Sequence, residues 1–182
     1  MQLYLKQLIK DPLVASLVST SLMSSKKIIQ QLNLKPGQIV VEYGPGSGEI
    51  SELIKQRITP GGKLFLIEQN QKLAEKLSIK FKTENNVYIF NDSAENVASI
   101  LQTSNIVSVD RILSSIPFSF LTGSVARQIV STSYKILKPG GLFAIFQMTP
   151  LALGVVKPVF KKGQFNLLPF NLPPLWLWVA KK

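Results

Sequence analysis

Seven consecutive residues, Glu42-Tyr43-Gly44-Pro45-Gly46-Ser47-Gly48, carry the most specific chemistry in the chain. They lie between a β-branched run, Gln38 to Tyr43, and a segment of helical spacing, Ile50 to Ile58, the context in which a glycine-rich pattern gains meaning. The glycines run G-x-G-x-G behind an acidic strand end, rather than the G-x-G-x-x-G that sets a pyrophosphate on a helix N-terminus. This suits a ligand without phosphates: Gly44, Gly46 and Gly48 let the backbone approach it closely, with Tyr43 in the same contact set, and Glu42 can meet an ammonium directly or through water. The plain alternative is a glycine-rich turn. Glu68, followed by Gln69, ends the next strand about twenty residues on, where a carboxylate can accept from both hydroxyls of a ribose. Asp92, with Ser93 and Ala94 behind it, either accepts from an adenine amine or caps the helix that follows.

A second set is expected at the end of the fourth strand, where open α/β sheets place substrates. Asp110 and the run Ile112 to Phe118 are read as closing that strand at the carboxyl edge, with Asp110 among the ligand contacts. Ser114, Ser115, Ile116 and Phe118 are the candidate catalytic groups. Backbone carbonyls of Ser115 and Ile116 and the hydroxyls of Ser114 or Ser115 can orient an amine lone pair, while Phe118 walls the pocket and can offer its face to a cation. An ordinary strand end with serines is the alternative. Tyr4, Tyr43 and Asp110 are the candidates for removing a proton.

The elements that must position these groups alternate. Strands are expected at Gln38–Tyr43, Lys63–Glu68, Val87–Asn91, Ser108–Ser114 and Leu142–Met148, with helices at 50–58, 71–82, 95–102 and 124–137 between them. Strands alternating with helices imply a parallel sheet with right-handed crossovers and helices on both faces. Residues 159–180 read as a terminal hairpin with its bend at Asn171-Leu172-Pro173-Pro174. Before the first strand, apolar residues recur at helical spacing over 1–32 with a break at Asp11-Pro12, and Ser19 or Ser21 can cap the last of these helices.

Composition narrows the chemistry. The 182 residues suit one domain, 46% apolar and 17% charged. Cysteine and histidine are absent, which removes thiolate nucleophiles, disulfides, zinc sites of the usual kind and imidazole bases, and no metal site is expected. The net charge is +11 and all ten acidic residues lie between Asp11 and Asp110, so the last third is purely basic and points to an anionic partner, lipid headgroups or nucleic acid, or else to a solvated surface. Lys6 and Lys10 beside Tyr4 and several leucines would let the first helix lie on an anionic bilayer, or simply pack. No secretory signal opens the chain and no transmembrane segment is read, so a cytoplasmic protein, peripheral on the inner face of the membrane, is expected.

The blocks Val41 to Gly48, Leu66-Ile67-Glu68, Asn91 to Ala94 and Leu137-Lys138-Pro139-Gly140-Gly141 together resemble the class I S-adenosylmethionine-dependent methyltransferases. The resemblance implies a Rossmann-like, seven-stranded, mostly parallel sheet with a C-terminal antiparallel hairpin, and S-adenosylmethionine as cofactor. Residues 33–182 would be the methyltransferase domain and 1–32 its N-terminal helices. Methyl transfer is an in-line displacement that gains from alignment more than from acid-base groups, consistent with the missing histidines. Tyr4 to Pro12, Ser114 to Phe118, Phe146-Gln147-Met148-Thr149 and Asn171 to Pro174 look like bacterial phospholipid N-methyltransferases. That likeness implies methylation of the phosphatidylethanolamine amine, Tyr4, Pro117, Gln147, Asn171 and Pro173 as substrate contacts, and the N-terminal helix as membrane anchor and lid. The equally plain reading of Asn171 to Pro174 is a rigid turn. Rival acceptors are the adenines of ribosomal RNA, although Ser115 stands where those enzymes carry Asn, and a small molecule. A non-catalytic lipid- or protein-binding scaffold is the alternative of another class.

Overall fold

Runs of β-branched and aromatic residues bounded by glycine and asparagine become the strands of one seven-stranded sheet. The computed structural model describes residues 20–171 and 173–182; Tyr4 and the first expected helices lie outside the described residues. In chain order the elements are α1 (Leu22–Leu32), β1 (Ile39–Tyr43), α2 (Glu49–Ile58), β2 (Lys63–Ile67), α3 (Gln71–Lys80), β3 (Val87–Phe90), α4 (Val97–Thr103), β4 (Val109–Ser114), α5 (Gly123–Ile136), β5 (Leu137–Gln147), α6 (Leu153–Val159), β6 (Gly163–Leu168) and β7 (Leu175–Lys181). Strand order is β3-β2-β1-β4-β5-β7-β6. The first five strands run parallel, and β7 is antiparallel to both β5 and β6.

Alternation along the strands splits the core in two. Val41, Tyr43, Phe65, Ile112, Phe143 and Ile145 pack under α4, α5 and α6, whereas Val40, Leu64, Leu66, Leu113 and Ala144 pack under α1, α2 and α3. The expected helices on both faces are therefore present. Ser21 caps α1, its side chain accepting from Ser24 N–H, and the Arg111 guanidinium closes the other end by donating to Leu32 O at 2.7 Å and Asn33 O at 3.3 Å.

Two differences from the sequence reading have local causes. Lys138-Pro139-Gly140-Gly141 is not a turn preceding a strand but an irregularity inside β5, since Val109 pairs with Leu137 and Arg111 next with Leu142. Lys182 holds it on the far side, with Gly140 N–H donating to Lys182 O and Lys182 N–H to Gly141 O, both 3.0 Å. Helix α6 was not expected because Gly154 and Pro158 both argue against helix. It is fixed by burial of Val156 and by Phe160 just beyond it, which stacks on Phe143 at 5.1 Å.

Candidate active site

The order β2-β1-β4 makes β1 the strand from which the chain departs in both directions, and its carboxyl end is therefore the switch point at which open α/β sheets form their ligand crevice. Three backbone bonds at 2.9 to 3.0 Å knit the strand ends there: Gly44 N–H to Ile67 O, Ser115 N–H to Tyr43 O, and Glu68 N–H to Phe90 O. The glycine loop is pinned from α3 by Lys80, whose Nζ donates to Ser47 O at 3.1 Å and Gly48 O at 2.9 Å.

Consecutive strand residues face opposite ways, so Glu42 and Tyr43 cannot share a role. Glu42 projects toward α2, 1% exposed, and its Oε2 accepts from Ser51 Oγ at 2.6 Å. Burial pushes its carboxyl up to about 7, Glu68 nearby adds to the rise, and the Ser51 hydroxyl and Lys80 oppose it. A buried carboxylate with one hydroxyl partner has acceptor capacity left for a cation. Tyr43 turns to the other face, where its hydroxyl lies 3.0 Å from Ser133 Oγ and burial pushes the phenol upward. It is thus neither a base nor a side-chain ligand contact; only its main chain reaches the crevice.

Glu68 is oriented by two backbone donors, Asn70 N–H to Oε1 at 2.9 Å and Gly46 N–H to Oε2 at 3.2 Å. Each oxygen keeps a lone pair for a pair of hydroxyls. Burial raises its carboxyl above the ordinary range, against the pull of those donors. Asn91, the first residue of the block Asn91 to Ala94, ties the second and third strand ends together by donating to Glu68 O at 2.9 Å and to the carbonyl of Gln69 at 3.2 Å. Asp92 Oδ1 takes Ser93 N–H at 2.6 Å and Asn96 Nδ2 at 2.8 Å, leaving Oδ2 as the oxygen able to accept from a ligand amine. The capping duty falls to Ser93, whose hydroxyl accepts from Glu95 N–H, with Ala94 buried behind it.

The glycines fit the cofactor for different reasons. At Gly46, φ is +59° and a Cβ would meet nothing within 4 Å, so bare backbone borders open space there. At Gly48, φ is +78° and a Cβ would stand 2.7 Å from Leu77 Cδ2, so this glycine lets α3 close against the loop. A phosphate-free ligand floor beside a buried carboxylate, with the oriented Glu68 carboxylate at the next strand end, suits the amino-acid and ribose parts of S-adenosylmethionine.

On the acceptor side several expected roles change. Asp110 stands at the opposite, amino-terminal end of the sheet, since β4 begins at Val109. Its Oδ2 accepts from Ile39 N–H at 2.8 Å and both oxygens lie 2.9 Å from Lys138 Nζ, so it fastens strands and meets no ligand. Asp110→Ala is accordingly expected to leave cofactor affinity within about twofold and to lower stability by about 1–3 kcal/mol, because the Ile39 N–H loses its partner; calorimetric titration and denaturant unfolding check the two halves. Ser114 Oγ is buried on the α5 face without a hydrogen-bond partner. Ser115 commits its hydroxyl hydrogen to Gly44 O and Tyr43 O, which clasps β4 to β1 instead of presenting a donor to an amine. Phe118 is 5% exposed within the core under α4 and α5, so its ring face is not open to a cation.

Gln147, at the end of β5, supplies what the run from Ser115 to Phe118 lacks. Its Nε2 donates to Ile116 O, and its Oε1 is buried without a partner, a side-chain amide brought to the acceptor crevice from the neighbouring strand. Pro117 is half-buried beside it, and Pro173 is exposed in the β6–β7 bend. Asn171, buried in that bend, accepts the Ser21 N–H on Oδ1 at 2.8 Å, so the chain enters α1 beside the crevice.

Comparison with known proteins leads to methyltransferases. The family described as GCD14, tRNA methyltransferase complex GCD14 subunit, matches residues 21–121, more than half of the chain. An ornithine lipid N-methyltransferase of Singulisphaera acidiphila is 25% identical over 162 residues, covering 88% of this chain and 84% of its own. A ribosomal RNA small subunit methyltransferase A of Dehalococcoides mccartyi is 29% identical over 151 residues, 80% of this chain but only 46% of the relative. Among solved structures, a SAM-dependent methyltransferase of Aquifex aeolicus superposes with a TM-score of 0.69 at 16% identity, covering 94% of this chain and 98% of the other, which supports the fold.

Proposed function

Because the chain belongs to the GCD14 family and is a class I S-adenosylmethionine-dependent methyltransferase, we propose that its acceptor is the amine of a lipid headgroup such as phosphatidylethanolamine. The cofactor, when bound, supplies an electrophilic methyl carbon on a sulfonium, and in-line attack forms the C–N bond as the S–C bond breaks. Glu42 holds the methionyl ammonium, Glu68 the ribose hydroxyls and Asp92 the adenine amine. Gly44 and Gly46 let the backbone run against the ligand.

The observation that carries the amine reading is the orphan carbonyl of Gln147. A buried acceptor oxygen whose own amide is anchored on Ile116 O can receive an N–H from an amine and fix the direction of its lone pair. An acceptor without N–H would leave that oxygen desolvated and unpaired, at a cost of about 1–3 kcal/mol. A lipid rather than a nucleic acid is favoured because the likeness to the ornithine lipid N-methyltransferase extends over most of both chains, whereas the ribosomal RNA enzyme shares less than half its length. No described helix is long and apolar enough to cross a membrane, so the lipid is to be met from the surface. Mass spectrometry of lipids after incubation with S-adenosylmethionine provides the test. Phosphatidylethanolamine is expected to gain a methyl group while phosphatidylcholine, which has the same phosphate and no N–H, stays unchanged; failure to modify any primary-amine lipid overturns the reading.

A further inference from the structure

The loops that follow β4 and β5 and the bend between β6 and β7 all end at the carboxyl edge of the sheet, around the acceptor crevice. Four large apolar side chains stand exposed there: Phe120 after β4, Met148 and Leu151 after β5, and Phe170 in the bend. The stretches that leave and re-enter the strands at this half of the edge, residues 115–126, 148–156 and 169–174, contain no charged residue of either sign. An aqueous rim of such composition is unusual, because surface loops are where charge costs least. Beside the rim the charges are cations: Arg127 in the first turns of α5, and exposed Lys26 and Lys27 on α1, whose start is tied to Asn171.

The other late cations do not belong to this face. Lys138 is paired with Asp110 and Lys182 donates to Lys135 O and Leu137 O at the amino edge, while Lys161 and Lys162 precede β6 at that same edge. Lys157, in the last turn of α6 with its Nζ 5.6 Å from the Trp178 ring centroid, stands partway down toward that edge, so of the basic residues after Asp110 it is Arg127 that lies near the rim.

We propose that this uncharged rim is the surface that docks on and dips into an anionic lipid bilayer, with Phe120, Met148, Leu151 and Phe170 below the headgroups and Arg127, Lys26 and Lys27 at headgroup level. The inference rests on the lipid-amine reading, which requires the crevice mouth to face the bilayer plane. Insertion of this edge desolvates no ion, buries side chains already exposed to water, and sets cations against anionic phosphates. It assigns membrane contact to the substrate half of the sheet rather than to the basic C-terminal residues as a whole.

The test uses the full chain and sedimentation with vesicles of phosphatidylethanolamine and phosphatidylglycerol, beside transfer to phosphatidylethanolamine dispersed in detergent. Leu151→Ser combined with Phe170→Ser is expected to weaken vesicle partitioning at least tenfold and to leave transfer in detergent within about twofold. Lys161→Gln with Lys162→Gln, at the far edge, is expected to change partitioning less than twofold. Retained partitioning in the rim variant, or loss in the far-edge variant alone, overturns the docking surface. If the rim variant loses partitioning while no lipid amine accepts methyl even in detergent, the surface stands and the acceptor reading falls. Thermal unfolding of each variant separates lost docking from lost folding.

Discussion

Glu42→Gln is expected to bind S-adenosylmethionine at least a hundredfold more weakly and, at neutral pH, to be more stable than the unmodified protein. The first effect follows from removing the charge that meets the ligand ammonium in a buried site, where breaking one partner of an ion pair costs about 3–5 kcal/mol. The second follows from the carboxyl itself. Its pKa is about 7 in the folded protein, raised by burial above the ordinary 4.5. Between those values the unfolded chain has released the proton and the folded chain retains it, so stability contributed by this group is full below about 4.5 and lost as pH rises through about 7. The loss amounts to about 3 kcal/mol from 1.36 kcal/mol per unit. Glutamine keeps an acceptor for Ser51 Oγ and removes the titration, so denaturant unfolding between pH 4.5 and 8 should show a downward slope in the parent that is shallower in the variant. Cofactor affinity of the parent should fall as pH drops below about 7, because the ammonium needs the ionised carboxylate. A variant that binds normally would remove Glu42 from the site.

Gln147→Leu is expected to lower kcat by about 10- to 100-fold, one to three kcal/mol of positioning, with cofactor affinity within twofold. The substitution removes the buried unpaired Oε1, a gain, but also leaves Ile116 O without its donor, a loss of about 1–3 kcal/mol, so unfolding is measured beside kcat. The discriminating readout is the split: Gln147→Glu keeps an acceptor of similar shape and should recover part of kcat at pH values where the amine is unprotonated and has its lone pair, while a purely structural role would move melting temperature and leave kcat of both variants alike. Equal kcat in parent and Gln147→Leu would contradict a positioning role.

The cofactor half of the site was legible because its signals are local. A β-branched strand, an acidic last-but-one residue and a G-x-G-x-G loop occupy 39–48, and Glu68 and Asp92 follow their strands directly. The acceptor half depends on contacts far apart in the chain, Gln147 on Ile116 and Asn171 on Ser21, for which spacing carries no signal. Asp110 was misplaced although its strand was found, because an acid near the start of β4 was counted with the residues at its end. Strand alternation already sets the Tyr43 side chain opposite Glu42, which leaves only its main chain at the site. Helix α6 was hidden by Gly154 and Pro158, where tertiary burial of Val156 and Phe160 overrides weak propensity. The basic C-terminal third was visible as a count, but only the fold separates Arg111, Lys138 and Lys182, which hold backbone or an acid, from the cations near the crevice.

The measurement closest to the central claim is transfer of labelled methyl from S-adenosylmethionine to mixed vesicles of phosphatidylethanolamine and an anionic lipid, with unmodified ribosomal RNA offered in parallel at the same enzyme concentration. Label in the lipid fraction, abolished by Glu42→Ala, is the predicted result. Label in RNA with none in lipid would contradict it and would make the amide of Gln147 a reader of an adenine amine instead.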